Sequence, residues 1–211
     1  DVRPDEVAGV VVGDPLRDGR AVWPHGPADG FDAVVGNPPF LGQLRSSTAV
    51  PAADRSALRS RYPGLVGAYT DVAWLFLAAG LDLLADAGRM VLIQPQSLLA
   101  ARDGGPVRDL MVSGASLRGL WWDRSGVFAG HAEVCAPVVQ RTVAGPAEGM
   151  AEGMVEGMAD DVEVLVDRGV EVAGRSPAPV PGETWGGVVA EVLGIPRGPA
   201  VDGDQTVGRI G

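Results

Sequence analysis

FDAVVGNPPF, residues 31–40, is the stretch from which the rest of the chain can be read. Ala33, Val34 and Val35 form a short apolar run that closes on Gly36, and the next residue, Asn37, is the only asparagine in the sequence. A run of this length bounded by turn residues is the pattern of a short buried strand. Pro38 and Pro39 then fix a stiff path out of the strand, and Phe40 adds a flat aromatic ring. Turn chemistry alone accounts for an asparagine before a proline. It does not account for the second proline and the ring in the same four residues.

The chain has 211 residues, 46% of them apolar, which is enough for one sizeable core. No apolar run reaches the roughly 18–20 residues that a membrane-spanning helix needs. The opening DVRPDEVAG has neither the basic nor the apolar region of a signal peptide. The single Cys135 excludes an internal disulfide and fits a reducing, cytoplasmic setting. Two isolated histidines, His25 and His131, and one cysteine build no metal-ligand spacing, so no metal site is expected.

The 17 basic residues are all arginine, and the net charge is -10. An acidic balance argues against the whole chain being a freestanding nucleic-acid binder, because phosphate neutralisation drives that affinity. The charge is unevenly spread, however. Residues 41–62 carry Arg45, Arg55, Arg59 and Arg61 against Asp54, whereas residues 146–175 carry eight acids against Arg168 and Arg175. A polyanion should therefore meet the segment just after Asn37-Pro38-Pro39-Phe40.

Strand and helix patterns alternate along the chain. Residues 8–13 (AGVVVG) and 31–35 read as short strands, each ending in glycine and then a polar residue, Asp14 or Asn37. Residues 70–86 read as a helix with Thr70 as N-cap, followed by a turn, a strand over 89–94 and a break at Pro95. A helix over 105–113 leads to a strand over 117–122, and residues 131–142 read as a final long strand, antiparallel because only a short loop precedes it. This order predicts an α/β fold with a mainly parallel sheet and a terminal antiparallel strand. Ligands of such sheets sit beyond the carboxyl ends of the strands, so Asp14 and Asn37 are expected to share one crevice.

Residues 1–145 are expected to form the main unit. Residues 146–175 read as a low-complexity acidic insertion, with Glu-Gly-Met repeated at a period of four, and a hairpin around Asp167-Arg168-Gly169. Residues 176–211 read as a Pro-rich linker and a short helix whose partner lies outside this sequence.

The chemistry of Asn37-Pro38-Pro39-Phe40 is specific. An exocyclic amine on an aromatic base is a weak nucleophile because its lone pair is delocalised into the ring. Two acceptors, the Asn37 side-chain oxygen and the Pro38 carbonyl, can each take one N–H bond and localise that pair on nitrogen. The two prolines hold the carbonyl outward, and Phe40 offers a face on which a base can stack.

These residues resemble the N6-adenine DNA methyltransferases of restriction–modification type, a branch of the class I S-adenosylmethionine-dependent methyltransferases. Asn37-Pro38-Pro39-Phe40 is similar to their catalytic motif. GDPL (13–16) resembles the motif whose acid receives the adenine amine of the cofactor, which falls to Asp14. Residues 68–99 resemble the family's helix, turn and strand, with Ala87-Gly88 where two glycines are usual. Residues 126–141 resemble the segment whose aromatic contacts the flipped base, which falls to Phe128. The resemblance covers about residues 8–142 and implies S-adenosylmethionine as cofactor and DNA as partner, and the charge pattern puts the DNA contacts on Arg45, Arg55 and Arg59. It also implies that the sheet's first strands, with their glycine-rich loop, lie upstream of residue 1. On that expectation the chain is incomplete at both ends.

Two alternatives stay open at this level. The same four-residue motif serves methyltransferases of guanine N2 in RNA and of a protein glutamine. The chain can also be a non-catalytic remnant or a DNA-contact scaffold.

Overall fold

A computed structural model describes residues 10–40, 52–123, 133–142, 161–166 and 172–195. Asp14 caps a single helical turn, α1 (Pro15–Asp18), and a 3-10 turn over Gly19–Val22 leads to strand β1 (Phe31–Gly36). Helices α2 (Ala52–Arg61) and α3 (Val72–Leu83) precede β2 (Leu84–Leu92) and the two-residue β3 (Gln94–Pro95). Helix α4 (Gly105–Gly114), β4 (Ala115–Asp123) and β5 (Val134–Arg141) follow. The described chain ends with β6 (Asp161–Val166), β7 (Val172–Pro177) and α5 (Gly186–Val192).

The seven strands form one mixed sheet in the order β1-β2-β5-β4-β6-β7, with β3 continuing β2 along β5. β1 pairs β2 in parallel and β4 pairs β6 in parallel, while β5 runs against β2, β3 and β4, and β7 against β6. Five strands thus share one direction, the mainly parallel α/β class expected from the sequence. The antiparallel β5 lies inside the sheet, between β2 and β4.

Helices α3, α4 and α5 share a single core with the sheet. Leu77 and Leu81 of α3, Val107 and Met111 of α4, and Val188 and Val189 of α5 pack with Met90, Leu92, Leu117, Val139, Val162 and Val164. Along β2, Met90 and Leu92 face this core while Arg89 is exposed, the period-2 alternation of a half-buried strand. The helix expected to lack a partner, α5, therefore finds one in this chain: Trp185 just before it is 1% exposed.

Three further expectations are corrected. Residues 10–13 form no strand, and residues 8–9 lie outside the described residues. Val10, Val11 and Val12 are all exposed, and an apolar run becomes a strand only where a ladder partner stands beside it. The helix over 70–86 is shorter, because Leu84 already pairs with Phe31. Its N-cap is Asp71, whose carboxylate accepts from Ala73 N at 2.9 Å. Thr70 instead closes the preceding loop, its hydroxyl donating to the Leu65 carbonyl and accepting from Gly67 N.

The Ala87-Gly88 turn shows what the usual glycine pair would relieve. Ala87 sits at φ 59, a left-handed conformation that side chains disfavour, and the Gln140 amide donates to its carbonyl. A Cβ on Gly88 would come within 2.9 Å of the Ala85 and Phe31 carbonyl oxygens, so only glycine fits there.

Asp71 supplies a test of the capping assignment. Burial raises its carboxyl above the ordinary range, and the Ala73 N–H only partly offsets this. A raised folded value means stability is fully present below the ordinary carboxyl pKa and falls as pH rises through the folded one. Asp71→Asn keeps the cap and removes the desolvated charge, so its melting temperature at pH 7 should equal or exceed that of the parent. That advantage should vanish below about pH 4. Asp71→Ala, which loses the cap, should cost about 1 kcal/mol in denaturant unfolding.

Candidate active site

The site grows from the way β1 ends. Val34, Val35 and Gly36 pair with Met90, Val91 and Leu92, and the Ile93 N–H donates to the Gly36 carbonyl at 3.0 Å. There the pairing stops, because Pro38 has no N–H to continue it. Asn37 is exposed, Pro38 is buried and Phe40 is 36% exposed. A buried proline thus anchors the turn while an amide and an aromatic ring on either side of it face solvent. The Pro38 carbonyl accepts no hydrogen bond among the described residues.

Asp14 stands at the start of α1. One carboxylate oxygen accepts from Leu16 N at 3.0 Å, and the backbone carbonyl accepts from Arg17 and Asp18. The second carboxylate oxygen makes no hydrogen bond among the described residues, and the residue is exposed. Pro15 fits the first helical position, where an N–H would be unbonded in any case. Since residues 10–13 form no strand, Asp14 does not sit at a strand end. It approaches β1 through Pro15, which lines a hollow of about 310 Å3 together with Val34, Val35, Phe76 and Gly80.

On α2, Leu58 and the adjoining Tyr62 turn inward to a small core with Leu16, Val72 and Leu75. Arg59 is exposed. Arg55 is half-buried, with its Nε buried and unpartnered among the described residues, so it is less free than its place in an arginine-rich segment suggested. The Arg61 guanidinium lies 5.6 Å from the Tyr62 ring centroid and covers Gly19, whose φ of 54 itself disfavours a side chain. Arg45, Phe128, the Glu-Gly-Met repeat and the turn at 167–169 lie outside the described residues.

Two buried polar side chains were not expected from the sequence. Gln94 is fully buried on β3, and among the described residues neither its side-chain oxygen nor its nitrogen finds a partner. Trp74, in the first turn of α3, is 3% exposed with an unbonded indole N–H. A glutamine between two strand residues carries no signal of this, since burial without a partner is visible only once α3 is packed on the sheet.

The family described as Eco57I restriction-modification methylase matches residues 14–123, more than half of the chain. Among solved structures, the type I restriction-modification methyltransferase subunit from Streptococcus thermophilus is 15% identical, with a TM-score of 0.49 over 87% of this chain and 36% of its own. The M protein of the type I restriction enzyme EcoKI is 20% identical, with a TM-score of 0.46 over 73% of this chain and 28% of its own. The type IIG restriction endonuclease BpuSI is 22% identical, with a TM-score of 0.43 over 64% and 15%. The chain spans well under half the length of each. A comparison with curated proteins returns no match. The family match begins at Asp14, runs through Asn37-Pro38-Pro39-Phe40 and ends with β4: the chain belongs to the Eco57I restriction-modification methylase family.

Proposed function

We propose that this chain carries the methyl-transfer site of a restriction–modification enzyme that methylates the N6 amine of an adenine flipped out of DNA. The observation that carries this is the turn after β1. An exposed side-chain amide and a backbone carbonyl free of the sheet stand on adjacent residues, Asn37 and Pro38, beside the exposed ring of Phe40.

In this proposal the Asn37 oxygen and the Pro38 carbonyl accept the two amine hydrogens, and Phe40 stacks on the base with Phe128 as a second contact. Pro39 stiffens the turn so that the two acceptors need no reorganisation. The amine lone pair, localised on nitrogen, forms the new N–C bond, and one amine proton leaves to solvent. S-adenosylmethionine, when bound, supplies the electrophilic methyl carbon and keeps the electrons of the breaking C–S bond on sulfur. Asp14 fits a role in holding it, because one carboxylate oxygen is spare and exposed while the other is fixed by the cap of α1.

The exposed Arg59, with Arg55 and Arg45, suits phosphate contacts beside the turn and favours a large polyanion over a protein glutamine. Residues 41–62 are the proposed DNA-facing segment, and the cytoplasm is the compartment that this substrate implies. Among the described residues no helix is long and apolar enough to cross a membrane.

Asn37→Ala should slow methyl transfer by about a hundredfold or more, since it removes an acceptor that acts on the transition state. Calorimetric titration should find cofactor affinity nearly unchanged in the same variant. Near-normal turnover would remove Asn37 from the chemistry.

Alanine at both Arg55 and Arg59 should weaken DNA binding about equally across sequences. It should also flatten the dependence of log affinity on log salt by about one unit for each phosphate that is no longer neutralised. An unchanged slope would assign both arginines to a solvated helix face.

A further inference from the structure

We propose that Pro95 is a positioning residue for methyl transfer, acting through the N–H it lacks. The inference rests on the role given to the Pro38 carbonyl above. In a parallel ladder, one residue donates its N–H to the neighbouring strand and accepts at its own carbonyl from two residues further along that strand. Ile93 makes the first of these bonds, to the Gly36 carbonyl at 3.0 Å. The next rung would run from residue 38 N–H to the Ile93 carbonyl, and the one after from residue 95 N–H to the Pro38 carbonyl. Both donors are prolines, so neither rung can form. The first deletion lets the chain leave the sheet at Asn37. The second leaves the Pro38 carbonyl without a bond from β3.

Pro95 is held where that N–H would have mattered. It is extended, at φ -60 and ψ 140, and pairs with Val134 of β5, while Gln94 pairs with Cys135 and Gln96 N donates to the Glu133 carbonyl at 3.0 Å. The even-numbered residues of this segment thus turn their N–H groups toward β5, and the odd-numbered ones, Ile93 and Pro95, turn toward β1. With an ordinary residue at 95, an N–H would face β1, on the side where a continued ladder would place the Pro38 carbonyl. A substrate amine would then have to compete for it. A proline there keeps the acceptor free without altering the pairing to β5.

The test compares two replacements at one position in the full protein. Pro95→Ala introduces the N–H. Pro95→lactate, placed by nonsense suppression, removes the ring but introduces an ester in place of the N–H. For Pro95→Ala, kcat should fall about tenfold or more, with KM for DNA and Kd for cofactor within about twofold of the parent. Melting temperature should be unchanged or raised, because a backbone bond is gained. In nuclear magnetic resonance spectra the amide introduced at position 95 should exchange slowly and show scalar coupling to the Pro38 carbonyl carbon. The lactate variant should return kcat to within about threefold of the parent.

Equal slowing of both variants would assign the effect to the ring and overturn the proposal. So would parental kcat in Pro95→Ala, or a new amide at that position that exchanges freely. Asn37→Ala is measured alongside. If the parent transfers no methyl group, the methyltransferase role itself fails, and the amide coupling still decides whether Pro95 keeps the Pro38 carbonyl free.

Discussion

The register of β1 against β2 is the constraint on which the site depends. With Gly36 opposite Leu92, the last ordinary rung falls between Gly36 and Ile93, and the first residue beyond it is Asn37. A slip of one residue would turn Val34 away from the core and move the prolines to positions where they would break the strand itself. The register is secured from both sides of the sheet: Val34 packs on the core under α3, and β2 is held along its other edge by β5. Strong pairing up to Gly36, and none after it, ends the ladder in a turn whose two acceptors are unbonded among the described residues.

Much of this was legible in the sequence because it depends on local chemistry. The strand at 31–35, the helix ending near the Ala87-Gly88 turn and the antiparallel strand over 134–141 follow from periodicity and turn residues, within one to three residues at most ends. What could not be read depends on neighbours. Val10, Val11 and Val12 look like a strand, but none of the described strands pairs with them. Thr70 and Asp71 are both competent caps, and the choice between them is made by where the helix enters the core. Trp185 and α5 look unpartnered in sequence because their partners, Leu99 and the β6 residues Val162 and Val164 among them, are far away along the chain. Arg55 and Arg59 look alike, yet the inward face of α2 half-buries only the first.

Some buried polar groups are left without partners among the described residues. Among the described residues the Gln94 amide on β3 and the Trp74 indole N–H in the first turn of α3 are buried without partners. Each such group destabilises by about 1–3 kcal/mol, more than a typical surface feature contributes. The opposite pattern holds at the middle strands. There β2, β5, β4 and β6 bury Met90, Val139, Leu120 and Val164 completely, and Arg118 donates to the Gln140 side chain on the other face.

This division follows from what the chemistry requires. A transition state is stabilised by acceptors already in place and not bonded to anything else, and a fully paired sheet has none to offer. Such acceptors can exist only where a ladder ends, and a ladder that ends inside a fold destabilises it locally. Strands β2, β5 and β4, each paired on both sides and sharing a core with three helices, hold the turn after β1 in position. Proline at 38 and again at 95 sets the boundary between the two regimes by chemistry that no side-chain contact could replace, since what it contributes is the absence of a donor.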